Sequence, residues 1–220
     1  MVTPGPSGAV RAAAALSTLV LAACGRGPRA GAASERPWLV EVGAECGLAF
    51  VHESGARGDH EMPEVMGGGV ALLDADADGD LDLYLVNGNG ELPAERPDPR
   101  TTSAFYRQVA PARFADETDR SGLVDRRYGM GAAVGDVDND GDEDLYVTHV
   151  GPNALFRNDG AGRFEEAAES AGCAGSGWSS SAAFFDLDRD GFLDLYVARY
   201  VEYRSQRCFD EARRLSLIHI

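Results

Sequence analysis

The chain has 220 residues, with 36 acidic side chains against 20 basic ones and a formal charge of −16. That balance argues against nucleic-acid binding, which needs a basic face. Five, six and four of the acids fall in three nine-residue loops, so the acidity is a local signature rather than an acidic interaction tail.

Residues 1–23 read as an export signal. Arg11 supplies a weak positive start, and Ala12–Ala23 is an apolar run too short to cross a bilayer of roughly 30 Å. The run ends in Leu21-Ala-Ala-Cys24-Gly25. This is lipobox-like, with cleavage before Cys24 and lipid on that cysteine; the alternative is an ordinary signal cleaved after an Ala-x-Ala-like site. Several acyl chains on one residue anchor stably where a single chain does not. Residues 24–37, rich in Gly, Ala and Pro, form a flexible tether. The expected location is the bacterial cell envelope, lipid-anchored on the outer membrane or cell surface, or the secreted state.

Next comes a polar opening segment. His52 and His60 sit among Glu53, Asp59, Glu61 and Glu64, which reads as a solvated loop before it reads as a transition-metal or acid–base site. Arg57-Gly-Asp59 spells an integrin-recognition tripeptide, too short to carry a reading.

The most informative stretches follow. Asp74-Ala-Asp76-Ala-Asp78-Gly79-Asp80-Leu-Asp82, Asp136-Val-Asp138-Asn-Asp140-Gly141-Asp142-Glu-Asp144 and Asp186-Leu-Asp188-Arg-Asp190-Gly191-Phe192-Leu-Asp194 repeat one design. Each places carboxylates at positions 1, 3, 5 and 9 around a glycine at position 6. Such crowding of like charge requires a cation, and a hard ion with six to eight oxygen ligands, Ca²⁺, suits it. The expected ligands are the side chains of Asp74, Asp76, Asp78 and Asp82, of Asp136, Asp138, Asp140 and Asp144, and of Asp186, Asp188, Asp190 and Asp194. Position 7 (Asp80, Asp142, Phe192) would give its backbone carbonyl, which leaves its side chain free to vary. About three structural Ca²⁺ ions are expected. These are not EF-hands, because position 12 is Leu85, Val147 and Val197 where an EF-hand needs Glu. The flanks are also short apolar strand-like runs: Gly69–Leu73 and Leu83–Val86, Ala132–Val134 and Leu145–Thr148, Ala182–Phe185 and Leu195–Ala198.

The second and third loops are 50 residues apart, and the match extends beyond them. Tyr128-Gly-Met-Gly-Ala-Ala aligns with Trp178-Ser-Ser-Ser-Ala-Ala, Ser103–Arg107 with Asn153–Arg157, and Arg113-Phe114 with Arg163-Phe164. The first two loops are 62 apart because Glu91–Arg100, with three prolines, is an inserted surface loop. Each unit predicts a strand on either side of the acidic loop, a third near Leu155–Arg157, a turn at Asn158-Asp-Gly-Ala-Gly162 and a strand at Arg163-Phe164. Glu165–Ala171 has no assignable element. A period near 50 residues with four short strands is that of a propeller blade. Tyr84, Tyr146 and Tyr196 share one repeat position, Tyr128 and Trp178 another, which favours packing between blades. Asn87 and His149 end equivalent strands and read as loop residues. Cys46, Cys173 and Cys208 remain in an export context that permits disulfides, with one left over. Residues 205–220 read as a truncated or artefactual tail, Leu215–Ile220 being either an adaptor translation or a short native end.

These loops resemble the FG-GAP or VCBS repeats of integrin α-chain propellers. Phe50-Val-His52-Glu-Ser-Gly55, Pro63-Glu-Val-Met66-Gly-Gly-Gly69 and the Leu-Phe-Arg-Asn-Asp-Gly turn resemble, more narrowly, the cartilage acidic protein (ASPIC/UnbV-associated) family over about residues 38–204. The resemblance implies an all-β fold, a partial β-propeller with about three blades of a seven-bladed integrin-α-like whole. It also implies a calcium-stabilised, extracellular binding or adhesion module without defined chemistry. The partner would be a protein or glycan ligand, with the membrane reached only through the lipid anchor. The alternative is a hydrolase or lyase whose residues lie partly in further blades. No nucleophile elbow, zinc-protease helix or phosphate loop is present in the sequence.

Overall fold

A computed structural model describes residues 39–56, 62–88, 101–200 and 216–218. The export signal with Cys24, the tether, Arg57–Asp59, His60, the proline-rich insertion and Cys208 lie outside these residues. The unit that holds the sheets runs from Val42 to Ile220.

Its strands are β1 (Val70–Leu73), β2 (Asp82–Leu85), β3 (Ala104–Ala110), β4 (Arg113–Asp116), β5 (Gly129–Gly135), β6 (Asp144–His149), β7 (Ala154–Asn158), β8 (Phe164–Glu166), β9 (Ser179–Phe185), β10 (Asp194–Arg199) and β11 (Ser216–Ile218). A one-turn helix, α1 (Thr118–Ser121), follows β4, and a 3₁₀ turn (Met62–Val65) precedes β1. The strands form three antiparallel sheets, β1-β2-β3-β4, β5-β6-β7-β8 and β9-β10-β11, each a meander in chain order. This is a partial β-propeller, and the three sheets are its blades.

The strands form where the sequence predicts them, with one systematic extension. β5 and β9 begin at Gly129 and Ser179, ahead of their β-branched and aromatic cores. Small residues are needed there because inner strands of neighbouring blades nearly touch. A Cβ on Gly69 would stand 2.7 Å from the Cα of Gly131, and one on Gly131 would stand 3.0 Å from the carbonyl oxygen of Ser180.

The core lies between blades rather than within them. Ala71, Leu73, Tyr84, Val86 and Phe105 of the first blade pack on Leu145, Val147, Ala154, Phe156 and Phe164 of the second. Tyr146 and Leu155 of the second meet Leu195 and Val197 of the third. Alternation along each strand sends one apolar set to each neighbour. The repeated tyrosines serve this packing: Tyr84 and Tyr146 are fully buried, and the Tyr146 hydroxyl donates to the Cys173 carbonyl at 2.7 Å. Tyr128 and Trp178 form a separate buried cluster with Met130 and Val150.

Three features differ from the sequence reading or go beyond it. His149 is the last residue of β6 rather than a loop residue, and wholly buried; Asn87 lies past the end of β2, in the connection as read, but is also buried, and the amides of Asn87 and His149 donate to Ser103 Oγ and Asn153 Oδ1. Residues 168–172 form a turn matching α1, ended by Gly172 with φ +69° as Gly122 ends α1 with φ +84°. Ser216–Ile218, inside the presumed tail, pairs with β10 so that Tyr196 faces Leu217. Phe105 faces Tyr84 and Leu155 faces Tyr146 in the same way. Backbone pairing places this small-apolar-apolar triplet as a third strand although its sequence continues no repeat by inspection. Cys46 and Cys173 are free thiols, the latter buried.

Candidate metal centre

The acidic loops are the β1–β2, β5–β6 and β9–β10 connections, so each is a hairpin turn at the same end of its blade. Their backbones agree closely. Position 6 is left-handed in all three, with φ +90°, +97° and +92° at Gly79, Gly141 and Gly191. Position 4 is left-handed too, at Ala77, Asn139 and Arg189, with φ +55°, +57° and +64°. Two left-handed residues in three fold the loop inward at a cost that only glycine escapes. Nothing in the sequence signalled position 4 except Asn139, a residue that tolerates this region.

The first carboxylate organises each turn. Asp74 accepts from the amides of Asp78 and Gly79, both at 3.0 Å. Asp136 does the same with Asp140 and Gly141 at 3.1 and 3.0 Å, and Asp186 with Asp190 and Gly191, both at 3.1 Å. The position 5 carboxylates of Asp78, Asp140 and Asp190 accept from the amides of Asp80, Asp142 and Phe192. Position 9 is a buried carboxylate with a second task. Asp82 accepts from Ala75 N and Gln108 N, and Asp144 from Val137 N and Asn158 N, which ties the loop to the third strand of its own blade. Asp194 accepts from Leu187 N at 2.8 Å.

Ligand atoms converge within 4.8 Å of one another for Asp74, Asp76 and Asp78 in the first loop, Asp136, Asp138 and Asp144 in the second, and Asp186, Asp188 and Asp194 in the third. Asp82, Asp140 and Asp190 lie outside these tightest groups, as do the side chains of Asp80, Asp142 and Phe192.

The electrostatics are those of carboxylates short of positive charge. Burial raises the Asp82 carboxyl above its ordinary range; backbone amides oppose this, and Asp78 and Asp74 add to it. Asp144 is raised in the same way, with Asp138 and Asp140 adding. Two guanidinium groups supply partial relief: Arg107 pairs with Asp76 and Arg157 with Asp138. The Asp76 side chain is only 9% exposed, and its Oδ1 has no hydrogen-bond partner. An orphaned buried oxygen in an all-carboxylate donor set, with a cationic group already standing on its neighbouring oxygen, fits a hard divalent cation.

At the opposite end of the strands lies a polar cluster that the sequence reading missed. Asp125 Oδ2 is 2.8 Å from His149 Nε2, and Asp125 Oδ1 accepts from Arg127 Nε at 2.8 Å. Arg127 also donates to Glu166 at 3.0 Å. Burial alone would raise Asp125; His149 and Arg127 outweigh it and hold the carboxyl well below the usual range. Only the matched strand ends of Asn87 and His149 hinted at this cluster.

The geometry has a counterpart among known families. Residues 136–197 match the family model of the FG-GAP-like repeat. The matched stretch runs from the first aspartate of the second loop into β10, so it contains two acidic loops and one complete spacing between blades. It supports an FG-GAP repeat protein, and such repeats often carry calcium. No curated protein matches the chain with significance.

Proposed function

We propose that the chain is a calcium-stabilised, non-catalytic surface module. It is a section of propeller, exported and lipid-anchored at Cys24, that presents blade loops to a protein or glycan partner. The convergence of carboxylates at the same hairpin of all three blades carries this reading, together with the FG-GAP-like match over two of them. The finer likeness to the cartilage acidic protein family rests on the Met66-Gly-Gly-Gly69 and Leu155-Phe-Arg-Asn-Asp-Gly160 segments.

In this reading Asp74, Asp76 and Asp78, with Asp82 behind them, hold the first ion, and the matched residues hold the others. Calcium supplies the positive charge the turns lack and binds the folded state selectively, stabilising it by mass action. At a hundredfold excess over Kd one site contributes about 2.7 kcal/mol, about 5 °C or more for a chain of this size. The test is thermal melting with chelator, then with calcium restored. The chelated chain should melt lower and recover on adding Ca²⁺ but not Na⁺. Coincident melting curves would rule out the calcium reading.

A further inference from the structure

The three acidic loops are not independent. Glu143, at position 8 of the second loop, accepts from the amide of Asp74, the first residue of the first loop, at 2.8 Å. Asn158, at the end of β7, donates its side-chain amide to the carbonyl of Ala75 at 2.8 Å and to that of Glu143 at 3.2 Å. The backbone amide of Asn158 meanwhile holds Asp144 Oδ1 at 2.8 Å. On the other side, Asn139 of the second loop donates to the carbonyl of Gly191 in the third at 3.0 Å. The middle loop therefore touches the backbone of both neighbours.

The residues that do this are not imposed by the repeat. Position 8 is Leu81, Glu143 and Leu193, and position 4 is Ala77, Asn139 and Arg189. Leu193 Cδ1 comes within 2.9 Å of where a Cβ on Gly135 would stand, so position 8 reaches the preceding blade in both cases. Only Glu143 meets a backbone donor there.

Resting on the calcium reading above, we propose that Glu143 and Asn139 are positioning residues for the metal sites of the neighbouring blades, Glu143 for the first site and Asn139 for the third. The Asp74 amide and the Ala75 carbonyl flank the bonds that set where the Asp74 carboxylate points. Fixing both from outside leaves less to order when an ion arrives. The site being ordered contains the buried, unpartnered Asp76 Oδ1. Glu143 acts through a backbone hydrogen bond and contributes no ligand to the first loop.

The test isolates one site at a time in the full chain. D138A with D188A leaves the first loop intact, and calcium is titrated by calorimetry with and without E143A and E143Q. A lost hydrogen bond of this kind corresponds to about a three- to tenfold weaker affinity. E143A should show that loss, and E143Q, which keeps an acceptor oxygen, should return within about twofold of the parent. D76A with D138A leaves the third loop, where N139A should weaken binding about two- to fivefold. Asn139 is exposed, so its removal gives a second readout if E143A misfolds. Affinities unchanged in both E143A and N139A overturn the proposal, and an E143Q chain as weak as E143A overturns the hydrogen-bond basis for Glu143. A parent that takes up no calcium removes the calcium reading itself, and this inference falls with it.

Discussion

The two ends of the blades solve the problem of charge in opposite ways. At the hairpin end aspartates recur at positions 1, 3, 5 and 9 of all three loops, and Arg107 and Arg157 pair with those at position 3 in the first two. At the other end the equivalent strand positions are Asn87, His149 and Arg199, all different. There the first two close on groups of this chain: Asn87 accepts from the amide of Glu53 at 2.7 Å, and His149 Nε2 meets Asp125 at 2.8 Å, while His149 Nδ1 and Arg199 Nε are left without a hydrogen-bond partner. A geometry imposed by one external ion must be repeated residue by residue. A junction closed by its own side chains is free to use whichever pair fits. Repetition therefore marks the end where the proposed ions would sit.

The largest expected effect lies at the His149 end. Replacing Asp125 with Ala leaves the buried His149 Nε2 without its hydrogen-bond partner and Arg127 with Glu166 alone. Breaking a buried pair costs about 3–5 kcal/mol, so chemical denaturation of D125A should show a loss of that order. The pH dependence follows the same bond. Asp125 titrates lower in the folded chain than its ordinary 3.8. Its contribution is therefore complete above that value and lost as pH falls below it toward the folded value. D125A should lack this acid-side loss, and a D125A chain with the parent's acid profile would show that Asp125 does not carry it.

A smaller effect is expected at Gly122, which closes α1 at the same end. Its φ is +84°, and a Cβ there would lie 2.4 Å from the carbonyl oxygen of Phe164 on the next blade. Gly122→Ala combines left-handed strain with a backbone clash and should destabilise by about 2 kcal/mol. The equivalent Gly47 stands 2.5 Å from the carbonyl of Phe114, so the contact recurs at the preceding blade. A neutral G122A would mean that the helical turn does not brace the next blade.

The smallest effect lies in the loops, and its sign is reversed. Ala77 holds φ +55° with a methyl group that gains nothing there. Ala77→Gly should relieve about 1 kcal/mol of strain, less the extra freedom of glycine in the unfolded chain. A net gain of about 0.5 kcal/mol in the chelated protein is expected. A loss would mean that the left-handed turn at position 4 forms only around an ion.

Much of this could be read from the residues alone. The acidic loops, their strands and the 50-residue spacing were legible because Asp-x-Asp-x-Asp-Gly between two short apolar runs recurs at fixed positions and allows few hairpin geometries. The Tyr84 and Tyr146 packing was legible because a large side chain repeated at one position has to be buried by its repeated neighbour. The Gly129 and Ser179 strand starts were not legible, since small polar residues look like turns until another backbone is seen lying against them. The short turn over residues 168–172 escaped for a similar reason: five residues carry too little pattern, and the four of α1 carry no more.

The sequence by itself determined the type of each unit, the position of its acidic hairpin and the all-β class, because these depend on local spacing and turn chemistry; which carboxylates converge differs from loop to loop and was decided by the fold. Tertiary structure alone decided which units touch and through what. The burial of His149 against Asp125, the placing of Ser216–Ile218 on β10 and the reach of Glu143 and Asn139 into neighbouring loops join residues 20 to 70 positions apart or cross from one blade to the next. No periodicity along the chain encodes such pairs. They exist because sheets stacked face to face bring unrelated positions within hydrogen-bond distance.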